Sequence, residues 1–452
     1  MSNQAIARRY ASSGWAALAL VLPAACGAPA AAPELLAPAA PADPATGRST
    51  LAALAADPSV SSPRVVTVAL DPLRRGDPDL TLRLPDDAVL RLSATSTYRM
   101  DDPDGPPSSV WEGTIEAVDG TPPPHGAAAL FVVTGDRVMG QLAFGARTLE
   151  VVTVEEGGHQ ILYTRDFAHL PNADDTPPEA EVIESTPELA MDDAPFGRST
   201  SALTASTKIR VLQIAAPNAR NVLGGRAVTK DRMRFFLAQA NQAFTNSGVG
   251  IELVNAGLRL PSQNPGTSDS TVLLRRLSRP SDGLVYDDLA AGPTDGRGRN
   301  ATAADIVGIV VDDLTIPSPW SPGAVVRPNG QVHRIDAGPA QAFFAIRADA
   351  TDHTFAHEIG HLLGARHDSD TTNTPFAFGH GFRRRDSLFG SVFGPSSDGF
   401  YTVMGVGPAT ERRIPYFSSD TRSRRGVVIG DATTRDNERV LRIRKSRVAG
   451  FR

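Results

Sequence analysis

His357, Glu358, His361, Gly364 and His367 are spaced so that one kind of backbone path brings their side chains together. His357 and His361 are four apart, which places both imidazoles on one face of a helix with Glu358 beside the first. Were that helix to continue, His367 would lie roughly 9 Å further along the axis and about 120° around it. Gly364 offers a way out, because glycine takes a left-handed conformation at little cost and can end a helix. The chain would then turn back and bring a third imidazole to the first two. A His-Glu-x-x-His run arises by chance in roughly one chain in 100 of this length; the version with the glycine and third histidine arises in about one in 100,000. The short motif alone could be a solvated helix. The long one calls for a shared metal ion.

Zinc suits that donor set. Neutral imidazoles of His357, His361 and His367 would fill three tetrahedral positions and leave the fourth for water. Zinc lowers the pKa of such a water toward about 7, and Glu358, beside the open position, is expected to act as general base. Asp368 is expected to hold backbone or the turn near Met404, since a fourth protein ligand would close the site. His353 would lie one turn back, too far for ligation, and His380 reads as a loop histidine.

The stretch His357-Glu358-x-x-His361-x-x-Gly364-x-x-His367-Asp368 resembles the signature of the metzincin clan of zinc endopeptidases. The aspartate after the third histidine resembles the adamalysin (reprolysin) branch. Thr354-Phe355-Ala356 and Arg413-Ile414-Pro415-Tyr416-Phe417-Ser418 are similar to bacterial secreted reprolysin-like enzymes, including the peptidyl-Asp metallopeptidases. The resemblance covers residues 206–452. It implies a mixed α+β or α/β metzincin catalytic domain: a twisted mixed sheet with long helices, a zinc helix and a smaller C-terminal subdomain. It also implies protein or peptide substrates, and a monomer is expected. Met404, in Tyr401-Thr402-Val403-Met404-Gly405, matches the clan's methionine turn, a structural role; Gly364 and Asp368 are further structural supports. Some metzincins carry a tyrosine two residues after that methionine, but Val406 stands here, so no tyrosine from this turn is expected to assist. Arg383, Arg384 or Arg385 could form a basic pocket for acidic side chains, in the 369–403 stretch expected to wall the substrate site. Calcium is left undetermined by the sequence. A surface adhesion or peptide-binding protein on an inactive scaffold is the competing reading, and retention of Glu358 with all three histidines argues against it.

The remaining sequence frames this domain. A net charge of -5 over 452 residues argues against a nucleic-acid partner. Arg8 and Arg9 precede an apolar run, Trp15 to Ala25, too short to span a bilayer, so residues 1–26 are expected to be a bacterial-type export signal. The product would be secreted or anchored to the cell envelope, without a transmembrane helix. Leu22-Pro23-Ala24-Ala25-Cys26-Gly27 resembles a lipoprotein box with Pro23 in its preferred leucine position; a lipid anchor at Cys26 and ordinary cleavage, for example after Ala28-Pro29-Ala30, both stay open. Cys26 is the single cysteine, so no disulfide and no cysteine-based latency switch is available.

Residues 27–60, rich in Ala and Pro, are expected to be a tether, and residues 61–170 a β-rich pro-segment. Residues 171–205 read as an acidic, Pro-containing connector, with release near Phe196-Gly197-Arg198-Ser199. In the catalytic part, strands are expected at Ile209–Ile214, Val249–Val254 and Asp305–Val311, and helices at 226–246, 271–277 and 436–449. Ala342-Phe343-Phe344-Ala345-Ile346 is expected to be the edge strand that would pair with substrate backbone.

Overall fold

The computed structural model describes residues 32–38, 48–123, 127–144, 147–155, 158–166, 206–278, 298–317, 324–350, 353–385, 399–407, 411–424 and 426–452. The export signal, Cys26, the whole 171–205 connector and its Phe196–Ser199 cleavage site lie outside these residues.

Alternating apolar runs give nine strands in the N-terminal part: β1 Leu36–Pro38, β2 Val60–Val68, β3 Asp79–Arg83, β4 Val89–Met100, β5 Ser108–Val118, β6 Ala128–Thr134, β7 Arg137–Phe144, β8 Arg147–Thr153 and β9 Gln160–Arg165. They pair in the order β1-β2-β9-β8-β7-β6-β5-β4-β3. Leu35 N donates to Thr81 O (2.7 Å) and Thr81 N to Pro33 O (3.0 Å), so the first strand also meets the last and the sheet closes into a barrel. Period-two alternation divides the side chains. Leu82, Leu90, Trp111, Phe131 and Leu142 fill the interior, while Leu130, Val132, Met139 and Val152 face outward into a second core. The expectation of a tether over residues 27–60 needs correcting. Leu35 and Leu36 are buried, β1 helps close the barrel, and a helix, α1, spans Arg48–Ala56. Closing the barrel removes an edge that would otherwise expose unpaired backbone groups. A six-residue helix, α2 (Leu70–Arg75), follows β2.

The C-terminal part runs β10 Thr207–Ala215, α3 Pro217–Leu223, α4 Arg226–Ser247, β11 Ile251–Arg259, α5 Ser270–Ser278, β12 Ile306–Val311, β13 Gly330–Val332, β14 Phe343–Arg347, α6 Thr354–Leu362 and α7 Asn437–Val448. Its sheet has the order β11-β10-β12-β14-β13. Only β13 is antiparallel to its neighbour. The whole is thus a mixed α/β molecule. β12 is buried along its full length, as a nearly continuous apolar run requires at the centre of a parallel sheet.

The edge-strand expectation for residues 342–346 is also corrected. β14 pairs with β12 through Val307↔Phe343 and with β13 through Val332↔Phe344, so it is an inner strand. The edge is β13, three residues that the sequence did not mark as a strand. Helix α4 is sandwiched: Phe236 stacks on Phe355 of α6 at 6.1 Å, and its other face meets the barrel's outer residues in one continuous core. Among the described residues no helix is long and apolar enough to cross a membrane.

Candidate metal centre

Helix α6 carries His357, Glu358 and His361 and ends where the glycine stands. Gly364 has φ +96°, in the left-handed region that side chains avoid. Its N–H donates to His361 O at 2.8 Å and Ala365 N to Gly360 O at 2.9 Å. The last carbonyls of α6 are met from outside: Asp336 N donates to His361 O (2.9 Å) and Ala337 N to Leu362 O (3.0 Å). Beyond the turn, Arg366 N donates to Gly379 O (2.8 Å) and Gly381 N to Arg366 O (2.9 Å), fixing the strand-like path of His367.

The three rings meet. Nε2 of His357 lies 3.1 Å from that of His361 and 2.9 Å from that of His367, and His361 and His367 are 3.0 Å apart. His357 Nδ1 donates to Val403 O at 2.7 Å and His361 Nδ1 to Ala365 O at 2.8 Å. Each neutral ring carries one proton, so those two Nε2 atoms are bare lone pairs facing each other. Burial pushes both rings toward the neutral form, His361 down to about 4 and His357 well below its ordinary value, where His361 and His367 add to the effect. His367 is lowered well below its ordinary value by burial first and His361 second. Converging lone pairs in a buried site repel unless a cation sits between them. A tetrahedral zinc with bonds of about 2.1 Å would separate its nitrogens by roughly 3.4 Å, a few tenths wider than found. The three histidines could therefore hold a metal ion.

The other predicted residues take definite places. Glu358 is buried, and a Cβ added at Gly330 of β13 would overlap its carboxylate, so the acid lies against the edge strand. Asp368 Oδ1 accepts from Val406 N at 2.7 Å, tying the third-histidine segment to the residues after Met404. Burial raises the Asp368 carboxyl, with the Val406 N–H opposing. Met404 is fully buried beneath the helix: a Cβ at Gly360 would come within 2.6 Å of its sulfur. Arg383 donates to both oxygens of Glu411, at 2.6 and 2.9 Å, while Arg384 is half-buried and Arg385 exposed.

Two further histidines take definite places. His380, expected to be a loop histidine, lies outside the named helices and strands but is buried, and its Nδ1 donates to His367 O at 3.0 Å, bracing the third histidine's backbone. His353 lies outside the helix at φ +61°, where it precedes α6 rather than forming its first turn. Its spacing from His357 was visible in the sequence, but its environment was not, because its neighbours come from distant segments.

Residues 205–418 match the family model for metallo-peptidase family M12. The chain is 28% identical over 424 residues to a peptidyl-Asp metalloendopeptidase of Xanthomonas campestris pv. campestris, covering 90% of each chain. It is 29% identical over 428 residues to a peptidyl-Asp metalloendopeptidase of Stenotrophomonas maltophilia strain R551-3, covering 92% of this chain and 91% of that one. Among solved structures, metalloproteinase-II from Bacteroides fragilis aligns with a TM-score of 0.40 and 12% identity, covering 65% of this chain and 82% of that chain.

Proposed function

The chain is a metalloendopeptidase similar to peptidyl-Asp metalloendopeptidases, with an M12 domain at residues 205–418, and on that premise we propose that it is an extracytoplasmic zinc endopeptidase using Glu358 as general base. His357, His361 and His367 would hold the zinc through Nε2. Bound there, zinc would acidify a water and polarise the scissile carbonyl. Glu358 takes the proton from the attacking water and delivers it to the leaving amine. The backbone of β13, at the sheet's edge and against Glu358, offers an extended peptide a ladder of N–H and C=O groups. That contact would align the scissile bond with the base. Substrates with acidic residues, aspartate above all, are the proposed targets, as the relatives' names suggest.

We also propose that residues 61–170 act as a pro-segment and that the 171–205 connector is where it is released. Val406 stands where some relatives of the fold carry a turn tyrosine, so this turn offers no phenol to the reacting carbonyl, and charge stabilisation there would be supplied by the zinc that His357, His361 and His367 would hold.

One observation carries the reading: two proton-free Nε2 atoms and a third imidazole face one point, an arrangement that needs a cation. Glu358→Ala is expected to keep one equivalent of zinc while peptide hydrolysis falls by about 10²–10⁴-fold. His361→Ala should lose both metal and hydrolysis. Full activity in the Glu358 variant would remove that residue from the mechanism.

A further inference from the structure

Two chains of hydrogen bonds run from the barrel to His357. The first starts at Gln141 of β7. His353 N donates to Gln239 Oε1 at 3.2 Å, and Gln239 Nε2 donates to Gln141 Oε1 at 3.1 Å. A backbone N–H can only donate, so it holds the Gln239 amide with its oxygen toward His353 and its NH2 toward the barrel. Gln141 must then present its own oxygen. His353 in turn opens α6, since His357 N donates to His353 O at 2.9 Å. His353 sits at φ +61°, a conformation that persists only where the surroundings enforce it. Gln141 and Gln239 are both buried, so a bond lost here is not readily replaced by solvent.

The second chain starts at β8, where Thr148 Oγ1 accepts from Arg412 Nη2 at 3.0 Å. Arg412 and Arg413 form a short strand parallel to Phe400–Tyr401. Ile414 N donates to Tyr401 O and Val403 N to Tyr416 O, both at 2.8 Å. Val403 O is the acceptor that orients the His357 ring, at 2.7 Å. The two chains meet around one small cavity, lined by His353, Arg412 and Arg413 together with Gln141 and Ala129 of the barrel. The barrel also grips β11 at the edge of the sheet, where Asp104 Oδ2 accepts from Leu258 N at 2.8 Å. β13, against Glu358, is the opposite edge, four strand spacings or about 19 Å across the sheet.

We propose that Gln141 and Arg412 are positioning residues through which the docked barrel sets the first zinc ligand, so that the barrel supports catalysis instead of blocking it. The proposal rests on the zinc endopeptidase reading and deepens it. One chain holds the backbone of His357 and the other holds its ring, which leaves the imidazole little freedom to turn or shift. Groups that orient a metal ligand from behind change metal affinity or activity by roughly 10–100-fold when they are removed. Release at the connector would free both anchors at once. Loss of the barrel therefore lowers turnover, the opposite of what an inhibitory segment does on leaving.

The test uses the full chain, loaded with zinc for kinetics on a fluorogenic peptide containing aspartate and with cobalt(II) for its visible spectrum. Gln141→Leu combined with Arg412→Met removes both anchors. In that double variant kcat should fall by about 100-fold with KM within about twofold of wild type, and the cobalt bands should shift as the ligand geometry changes. Gln141→Glu with Arg412→Lys keeps an acceptor and a donor and should restore both readings most of the way. Glu150→Gln removes a buried barrel contact to Arg232 that lies on neither chain; it should lower the melting temperature and leave kcat and the cobalt spectrum unchanged. A folded, metal-loaded double variant with wild-type kcat and cobalt bands overturns the proposal. So does a Glu150→Gln variant whose kcat and spectrum change as much as those of the double variant. If the double variant does not fold, Gln141→Leu alone decides: a loss of about tenfold in kcat is expected, and wild-type values overturn the proposal. Wild-type protein that binds cobalt but cleaves no peptide would instead defeat the endopeptidase reading, and the spectra would still decide the positioning.

Discussion

Gly364 shows how much one residue decides. Its left-handed φ lets the chain leave α6 after Leu362 and return His367 to the other two rings. An alanine there would be strained by its backbone alone, and its Cβ would sit 3.1 Å from Pro375 Cγ. Gly364→Ala is therefore expected to destabilise the protein by about 1–2 kcal/mol and to weaken zinc binding, since His367 would be displaced. A melting curve and a metal titration read both effects, and unchanged zinc affinity would show that the turn tolerates a side chain. At this scale the sequence was most legible. The histidine spacing, the place of Glu358 on the helix and the glycine turn could be read because local geometry dictates them, while Met404 was marked only by the family resemblance. His353 and His380 could not be read the same way. Their meaning depends on partners such as Gln239, which accepts from His353 N, far away in the chain.

Helix α4 is the element that joins the two halves. Its inner face supports α6 through Phe236 and Phe355, and its outer face carries charges that the barrel meets. Glu150 of β8 accepts from Arg232 at 3.2 Å and Tyr163 at 2.5 Å. Arg137 pairs with Asp231 at 2.6 Å, and Arg234 pairs with Asp102. Burial alone would raise the Glu150 carboxyl, but Arg232 and Arg165 more than offset it and bring it from 4.5 down to about 2. A depressed carboxyl contributes stability above its unfolded pKa and loses it as pH falls through the folded one. Glu150→Gln should thus cost about 3 kcal/mol at neutral pH, because it leaves buried guanidiniums without their counter-charge. The deficit should shrink as pH falls from 4.5 toward about 2. Denaturant melts of both proteins across that range would check it, and a pH-independent deficit would exclude the charge network as its source. The helical spacing in the sequence located α4 within a residue, yet its apolar and charged positions gave no hint that two different layers would cover it. The edge strand was misplaced for a related reason. Phe343–Arg347 has the strand-like composition, whereas the brief Gly330–Val332 segment is recognisable only by what it pairs with.

For the whole molecule, the barrel and the metallopeptidase part share one core, in which Leu130, Val132 and Met139 pack with Met233 and Phe236. Residues 206–452 made alone would expose that apolar face together with Arg232 and Arg234. They are expected to refold poorly from denaturant and to aggregate, and residues 33–166 supplied in trans should raise the folded yield. Light scattering and recovered zinc binding measure this; a soluble, cooperatively melting 206–452 fragment would show that α4 does not need its outer cover. Such dependence fits a segment required for folding, whether or not it later leaves.

The sequence by itself determined the local geometry of the site: which imidazoles converge, where Glu358 stands beside them, how the helix ends. Those are consequences of residues within a dozen positions of one another, where backbone geometry leaves few choices. Tertiary structure alone decided the rest. Hydrogen bonds between segments far apart in the chain closed the barrel with Pro33–Leu35, made β13 the edge, and set Arg413 and His353 around one cavity. No local propensity encodes which distant strand will supply a partner, so those features exist only once the chain has packed.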